Sequence, residues 1–350
     1  MRHARKANFL ATSRASESSL LLGSHLWVVH NDSVKCSHGG RASSYETNLT
    51  LHTCNVEQFA CDNAFCITME KRCDAIEDCL DGSDEHGCGK LIKREGYKKH
   101  LTPFPESGQD VLVNFTLNIL DIAIDEPSET FNAKISISRN WFDERLRYKH
   151  LKQRTGMKMN TLLPEEFEAI WYPRYFVNNV RNKEDVKKTD TEDRHKIIPN
   201  DDFKYVSENN MHVFKGSENA LSLTKEFSLQ FQCEYLYQWY PFDTQICRMQ
   251  FVNLYVGVNM HPTDLQHNPD ISLNRYTLSR IRMCKSTIHE MKAIVAEVTL
   301  GRPIINNLLT VFVPTILLVI ISFTSRFFAE EYIDMVIQVN LTILLVLATM

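Results

Sequence analysis

The 350-residue sequence predicts a mainly β chain in three parts: a small disulfide-stapled module, an antiparallel β-sandwich and an apolar helical end. Three observations predict it. Six cysteines crowd into residues 54–88, apolar and polar residues alternate in several segments beyond Gln109, and Leu308 to Phe323 is almost wholly apolar. An apolar content of 43% with 23% charge belongs to a folded chain. The net charge of -4 is too small to point to nucleic acid or an acidic substrate. No nucleophile–base set or catalytic metal spacing marks an enzyme.

Residues 1–53 show no periodicity and read as leader and loop. The apolar stretch Leu20–Val29 is short and broken by Gly23, Ser24 and His25, so it reads either as a secretory signal or as part of an extended start. Seven of the ten cysteines lie between Cys36 and Cys88, a density stable as disulfides only in an oxidising compartment. The glycosylation sequons at Asn31, Asn48 and Asn114 agree with that compartment. Asn340-Leu-Thr has the same pattern but lies in an apolar segment, where a glycan is not expected.

Residues 54–88 read Cys54-x6-Cys61-x4-Cys66-x6-Cys73-x5-Cys79-x8-Cys88. So small a domain cannot bury enough apolar surface to fold alone and needs staples or a metal. Asp74, Asp78, Asp84 and Glu85 put four carboxylates close to Cys73, Cys79 and Cys88, and hard oxygen ligands of this kind suit calcium. The stretch resembles an LDL-receptor class A repeat. That resemblance implies the pairs Cys54–Cys66, Cys61–Cys79 and Cys73–Cys88, which spacing alone leaves open among about fifteen connectivities. It also implies two backbone carbonyls on calcium, at Lys71 and Ile76. The family often has Trp where Lys71 stands; a carbonyl ligand survives that change, whereas an aromatic contact surface does not.

Residues 89–108 are basic, then Pro- and Gly-containing, and read as a linker. The sandwich is expected over 109–302. Val111, Val113, Phe115, Leu117 and Ile119 are two apart, as are Phe131, Ala133, Ile135 and Ile137, and Phe227, Leu229, Phe231 and Cys233. Such alternation buries one face of a strand and wets the other. Asn114 falls on the wet face. Residues 181–195 are polar except for Val186 and read as an exposed loop. With its flanks Ile304 and Phe328, the apolar run gives a first membrane helix over 303–328, with Pro314 inside it. A second apolar run covers 335–350.

The most specific motif is Cys233-Glu-Tyr-Leu-Tyr-Gln-Trp-Tyr-Pro241-Phe242-Asp243-Thr-Gln245-Ile-Cys247. It resembles the ring that names the Cys-loop pentameric ligand-gated ion channels. Other pieces resemble the same family in the same order: Trp141-Phe-Asp143-Glu-Arg145-Leu146, Trp171-Tyr-Pro173 followed by Asn179 (with Arg174 in place of the usual acid), Arg302-Pro303, Pro314 to Phe323, and Asn340 to Thr349. Together they cover roughly residues 105–350.

The resemblance implies an immunoglobulin-like ligand-binding sandwich, assembly as a homo- or hetero-pentamer in the plasma membrane, and agonist binding between sandwiches. Opening of a central pore would follow, and the chain would cross the membrane more than once. Asp125, Glu126, Pro241, Phe242, Asp243 and Arg302 are then the coupling candidates, and Asp334, Gln338 and Leu345 the pore candidates. By the same resemblance Leu345, or Leu344 one residue before it, corresponds to the family's gate leucine. Anion-selective relatives carry Pro-Ala-Arg at the inner mouth and cation-selective ones Gly-Glu-Lys. This chain has Asp334-Met335-Val336 after Glu330 and Glu331, and a ring of acids favours cations.

The agonist, a small molecule or an ion, is not named by the sequence. No aromatic stands between Ala133 and Asn140, Asn178 replaces an expected aromatic, and Cys284 is single, so an amine cage is not expected. Tyr175, Tyr205 and Tyr255 read as packing residues, His261 and His267 as loop residues, and Cys36 and Cys284 as left over. The alternative to a channel subunit is a non-conducting binding receptor or accessory subunit whose cysteine module captures an extracellular protein. The family has two further membrane helices beyond these, so a working channel is expected to need them.

Overall fold

Alternating side chains become paired strands wherever one face has a partner sheet to pack against. The computed structural model describes residues 10–13, 22–30, 44–103, 108–153, 160–181, 194–200, 202, 204–208, 211–271, 273, 275–327 and 330–349. The chain divides into two compact units. One comprises Met1–Val111, Asn140–Tyr172 and Arg194–Leu223; the other comprises Leu112–Arg139, Pro173–Asp193 and Thr224–Met350. Strands are numbered along the chain.

In the first unit, β1 (Leu10–Ser13), β2 (Gly23–His30) and β3 (Ser44–Leu51) form one antiparallel sheet, and β4 (Gln58–Ala60) pairs with β5 (Cys66–Thr68) inside the cysteine module. A further sheet has the order β12 (Val206–Glu208), β13 (Met211–Lys215), β9 (Leu146–Lys149) and β6 (Leu91–Lys93). Its core holds Leu146, Tyr148 and Phe214, and beside them Trp141 meets Trp171 edge to face at 6.2 Å. Gly216 is required there, because a Cβ would lie 2.2 Å from the Asp143 carbonyl oxygen and 2.6 Å from that of Leu146. Strand β11 (Arg194–Ile198) and helix α1 (Pro164–Glu168) complete the unit.

The segment read as a linker is fastened to this unit. Leu91, Ile92 and Lys93 pair with Tyr148, Arg147 and Leu146, and Glu166 of α1 accepts hydrogen bonds from the Lys90 and Leu91 amides at 2.6 and 3.0 Å. Tyr97 accepts from the Trp171 amide at 2.9 Å and donates to Asp143 at 3.2 Å. Burial first, then the Asp143 charge, pushes its phenol up to about 12.

In the second unit, β14 (Ala220–Gln232), β8 (Thr130–Trp141), β7 (Val111–Asp125) and β16 (Val258–His267) lie side by side in that order. The facing sheet runs β10 (Tyr175–Val177), β15 (Thr244–Asn253), β18 (Met291–Gly301) and β17 (Thr277–Ile288). The alternation in β7 is realised, with Val113, Phe115, Leu117 and Ile119 wholly buried. Phe115 meets Phe251 of the opposite sheet at 5.3 Å, and Phe131 stacks on Phe231 at 5.2 Å. This is the core of a β-sandwich.

After β18 the chain becomes helical: α2 (Ile304–Asn307), a π-helical turn (Leu308–Phe312), α3 (Val313–Thr324) and α4 (Ile333–Thr349). Among the described residues one helical stretch, Leu308–Phe327, is long and apolar enough to cross a membrane; Ile333–Leu347 is a shorter apolar helix. Pro314 stands at the start of α3, just after the π turn. The Thr315 hydroxyl donates to the carbonyls of Val311 at 2.9 Å and Phe312 at 2.8 Å. The irregular backbone around the proline is thus met from within the same helix.

Candidate functional site

In the cysteine module the sulfurs are linked Cys54–Cys66, Cys61–Cys79 and Cys73–Cys88. These links bracket the acidic segment, in which no three of the described carboxylates of Asp74, Asp78, Asp84 and Glu85 all lie within 4.8 Å of one another. Asp84 is wholly buried; its Oδ2 accepts from the Asp78 amide at 2.7 Å, while no described donor reaches its Oδ1. Glu85 accepts from the Asp74 amide at 2.9 Å, and Asp74 from the Ile76 amide at 3.0 Å. Asp78 takes the Lys71 ammonium at 2.5 Å. Asp81 also lies close to Cys61 and Cys79, but those two sulfurs are bonded to each other and offer no thiolate to a metal.

The second constellation surrounds Arg302, at the end of β18 and just ahead of the apolar helices. Cys233 and Cys247 are linked, and Gln245 closes the ring between them, exchanging 2.8 Å hydrogen bonds with the amide and carbonyl of Leu236. The ring thereby presents a buried Asp243. Arg302 Nε donates to both Asp243 oxygens, at 2.8 and 2.9 Å, and its Nη2 donates to the Tyr276 hydroxyl at 2.5 Å. Glu126, at the turn after β7, lies 3.5 Å from Nη2. The rings of Tyr276, Tyr240 and Tyr237 stand 4.4, 5.2 and 5.7 Å from the guanidinium carbon.

Burial works against the Arg302 charge, but the bond to Asp243 and the fields of Tyr276, Asp243 and Glu126 outweigh it and raise its pKa. Burial pushes the Tyr276 and Tyr237 phenols up as well. Asp125 lines a cavity of about 440 Å³ with Asp121, Glu126, Arg275 and Tyr276. Pro241 is buried, whereas Phe242 and Trp239 are 65% and 77% exposed on the ring's apolar tip, and Tyr240 lies 6.3 Å from Phe312 of the π turn.

The two apolar helices meet through polar side chains. Asn340 Oδ1 accepts from the Ser322 hydroxyl at 2.5 Å, and its Nδ2 donates to Ser325 Oγ at 3.2 Å and the Val336 carbonyl at 2.8 Å. Val336 and Asn340 are half-buried and Ile343 is buried, the spacing of one helix face. At 3.6 residues per turn, Asp334, Gln338 and Leu345 stand roughly 120°, 160° and 140° round the helix from Asn340, and Leu344 only roughly 40°. Asp334, Gln338 and Leu345 are exposed.

The remaining sequence candidates are dispersed. Asn48 is exposed on β3 and Asn114 half-exposed on β7; Asn31 and Cys36 lie outside the described residues. Tyr175 packs edge-on against Phe115 and Phe251, Tyr205 stacks on His212 at 3.7 Å, and the Tyr255 amide donates to Asn253 at 3.1 Å. Asn178 donates to Gln250 at 2.8 Å. The β17–β18 hairpin turns through His289 and Glu290, both at positive φ, with Ile288 and Met291 still paired. Cys284 is an exposed thiol on β17, and His261 and His267 are exposed on β16. Tyr276 was not legible as a site residue, since it lies in no motif and its partner Arg302 is 26 residues away; Gln245 and Asn340 stood inside motifs, but the bonds that give them their roles were not legible.

Residues 88–299 match the neurotransmitter-gated ion-channel ligand binding domain family, and residues 52–88 match the low-density lipoprotein receptor domain class A. Over 269 residues the chain is 22% identical to a glutamate-gated chloride channel of Drosophila melanogaster, covering 72% of this chain and 54% of that one. It is 21% identical over 200 residues to the acetylcholine receptor subunit delta of Xenopus laevis, covering 57% of this chain and 34% of that subunit. The module is 50% identical over 40 residues to part of SCO-spondin of Gallus gallus, 11% of this chain and 1% of that protein. The chain therefore spans about half the length of the chloride channel or less of these relatives. A sandwich whose residues 88–299, more than half of the chain, match that family, and whose ring aspartate grips the arginine ahead of an apolar helix, makes this chain a member of the neurotransmitter-gated ion-channel ligand-binding-domain family, with an LDL-receptor class A module before that domain and no enzymatic role.

Proposed function

We propose that the chain is a subunit of a pentameric ligand-gated channel of the plasma membrane, in which agonist binding between sandwiches opens a central pore. The arrangement around Arg302 carries this reading. The side chains of Arg302 and Asp243 are 6% and 2% exposed, so the pair is desolvated, and Arg302 also faces Glu126 and Tyr276. Three separate strand ends thus converge on the residue that begins the run into the membrane helix. A shift of any one changes the balance of attractions on one charge, which is how a sandwich motion biases a two-state pore.

The second apolar helix supports the pore. Its Asn340 face is committed to the first helix, which leaves Asp334, Gln338 and Leu345 for a pore lining and favours Leu345 over Leu344 as the gate. A ring of leucines closes a narrow pore by dewetting. The absence of aromatics at the agonist positions named from sequence, and the two-residue turn at His289–Glu290, favour a ligand other than an amine held in an aromatic cage.

The module fits calcium. Asp84 offers a wholly buried oxygen without a donor, an expensive state for a carboxylate unless a cation meets it. Asp74, Asp78, Asp84 and Glu85, with the carbonyls of Lys71 and Ile76, are the residues that would hold the ion. Bound calcium would neutralise the carboxylates and cross-link the loop.

The test is electrophysiology of the full-length gene product under an agonist screen with ion substitution. Agonist-dependent current is the expected outcome. Surface protein that binds extracellular partners through the module and carries no current under any agonist or subunit combination would establish the adhesion or accessory role instead.

A further inference from the structure

The acidic loop of the module is held from outside the module by a lysine. Lys152, just after β9, donates its ammonium protons to the carbonyl of Arg72 at 2.7 Å and to that of Glu70. These two carbonyls flank Lys71, whose own carbonyl is one of the six groups assigned to calcium. Lys149 adds a bond from its ammonium to the Gly87 carbonyl at 3.3 Å, and its amide donates to the Lys90 carbonyl at 2.9 Å. The module and the β9 segment therefore share one contact surface within the first unit.

The charges on that surface are sorted. Asp74, Glu85 and Glu70 act on the Lys152 ammonium from the module side. From the other side, Lys90, Lys149 and Lys152, together with Arg72 of the module, surround the buried His150. Burial first, and then these four cations, push the imidazole down to about 3, so it stays neutral and adds nothing to the positive potential. An acidic loop is thus docked on a basic seat, and a divalent cation entering the loop meets a positive charge already placed there.

We propose that Lys152 sets the calcium affinity of the module, with its ammonium docking the loop and opposing the entry of the ion. This rests on the calcium reading above. Because coupling is reciprocal, calcium must loosen the docking by the same factor by which the docking weakens calcium. The module then reports extracellular calcium to the segment behind β9 through charge, with no need for a large displacement. Lys71 acts in the same sense at closer range, as its ammonium is already on Asp78.

The experiment is calorimetric titration of the full chain in detergent with calcium chloride. Lys152→Met is expected to tighten calcium binding by about threefold to tenfold at moderate salt, and Lys152→Arg to bind as the parent does. A second measurement needs no variant. The Lys152 amide donates to Asn160 Oδ1 at 2.9 Å, so its hydrogen exchange reads how firmly the segment that carries the docking ammonium is held. Saturating calcium is expected to speed that exchange in the unaltered chain. Equal or weaker binding by Lys152→Met, or exchange that slows with calcium, overturns the proposal while the calcium reading stands. If no chain binds calcium saturably, the calcium reading falls and this proposal with it.

Discussion

Arg302 keeps its charge in a place that should expel it. It does so because its planar fork reaches a carboxylate and a phenol at once while a second carboxylate lies within 3.5 Å. Removing one partner of such a buried pair costs about 3–5 kcal/mol, since the other charge is left without compensation. Arg302→Glu goes further and sets a third acid against Asp243 and Glu126. Agonist-evoked current is expected to be lost while surface labelling persists, and an agonist response equal to the parent's rejects the coupling role. Asp243 and Arg302 were legible in the sequence because the ring motif and the basic step are local patterns. Tyr276 was not. It lies 26 residues from Arg302 along the chain, in a stretch without a motif, and only the folding of β17 onto β18 joins them.

Elements show the same division between local and distant causes. Strands β7 and β8 were legible because period two needs no knowledge of the partner sheet. Strand β6 was not, since three residues carry no period and its partner β9 lies beyond two long strands. The segment around it read as a linker for the same reason: Tyr97 is fixed by Asp143 and Trp171, 46 and 74 residues away. In the helical end, apolar length revealed the helices but not which face each presents. That face is decided by Asn340, whose amide bridges to Ser322 and Ser325. Interhelical hydrogen bonds of this sort contribute about 0.6 kcal/mol on average, enough to choose a rotation and not to hold a bundle. A cysteine at Leu345 is therefore expected to react with a water-soluble thiol reagent in the open channel, and one at Leu344 to react far more slowly. Introducing Asn340→Leu should shrink the difference. Equal rates in the parent chain would show that the clasp does not set the face turned to water.

At the scale of the whole molecule, the net charge of -4 says little, because selectivity depends on where a few charges are repeated by symmetry. One acid on one helix is a modest perturbation. The same acid repeated around a narrow pore raises the local cation concentration and repels anions along the path every ion must take. Asp334 is exposed in the first turn of α4, roughly 120° from the clasped face, one turn before Gln338 on the same side. Glu331 is exposed one turn earlier still, so removing Asp334 alone leaves a second acid at the same end of the helix. Asp334→Asn is for that reason expected to lower the preference for cations partially, and Asp334→Lys to move the reversal potential toward that of chloride. Dilution of external sodium chloride at constant osmolarity measures both. The lysine variant is the sharper test: a reversal potential that follows sodium as closely as in the parent would place Asp334 outside the ion path and leave the sign of the permeant ion to other residues or to neighbouring subunits.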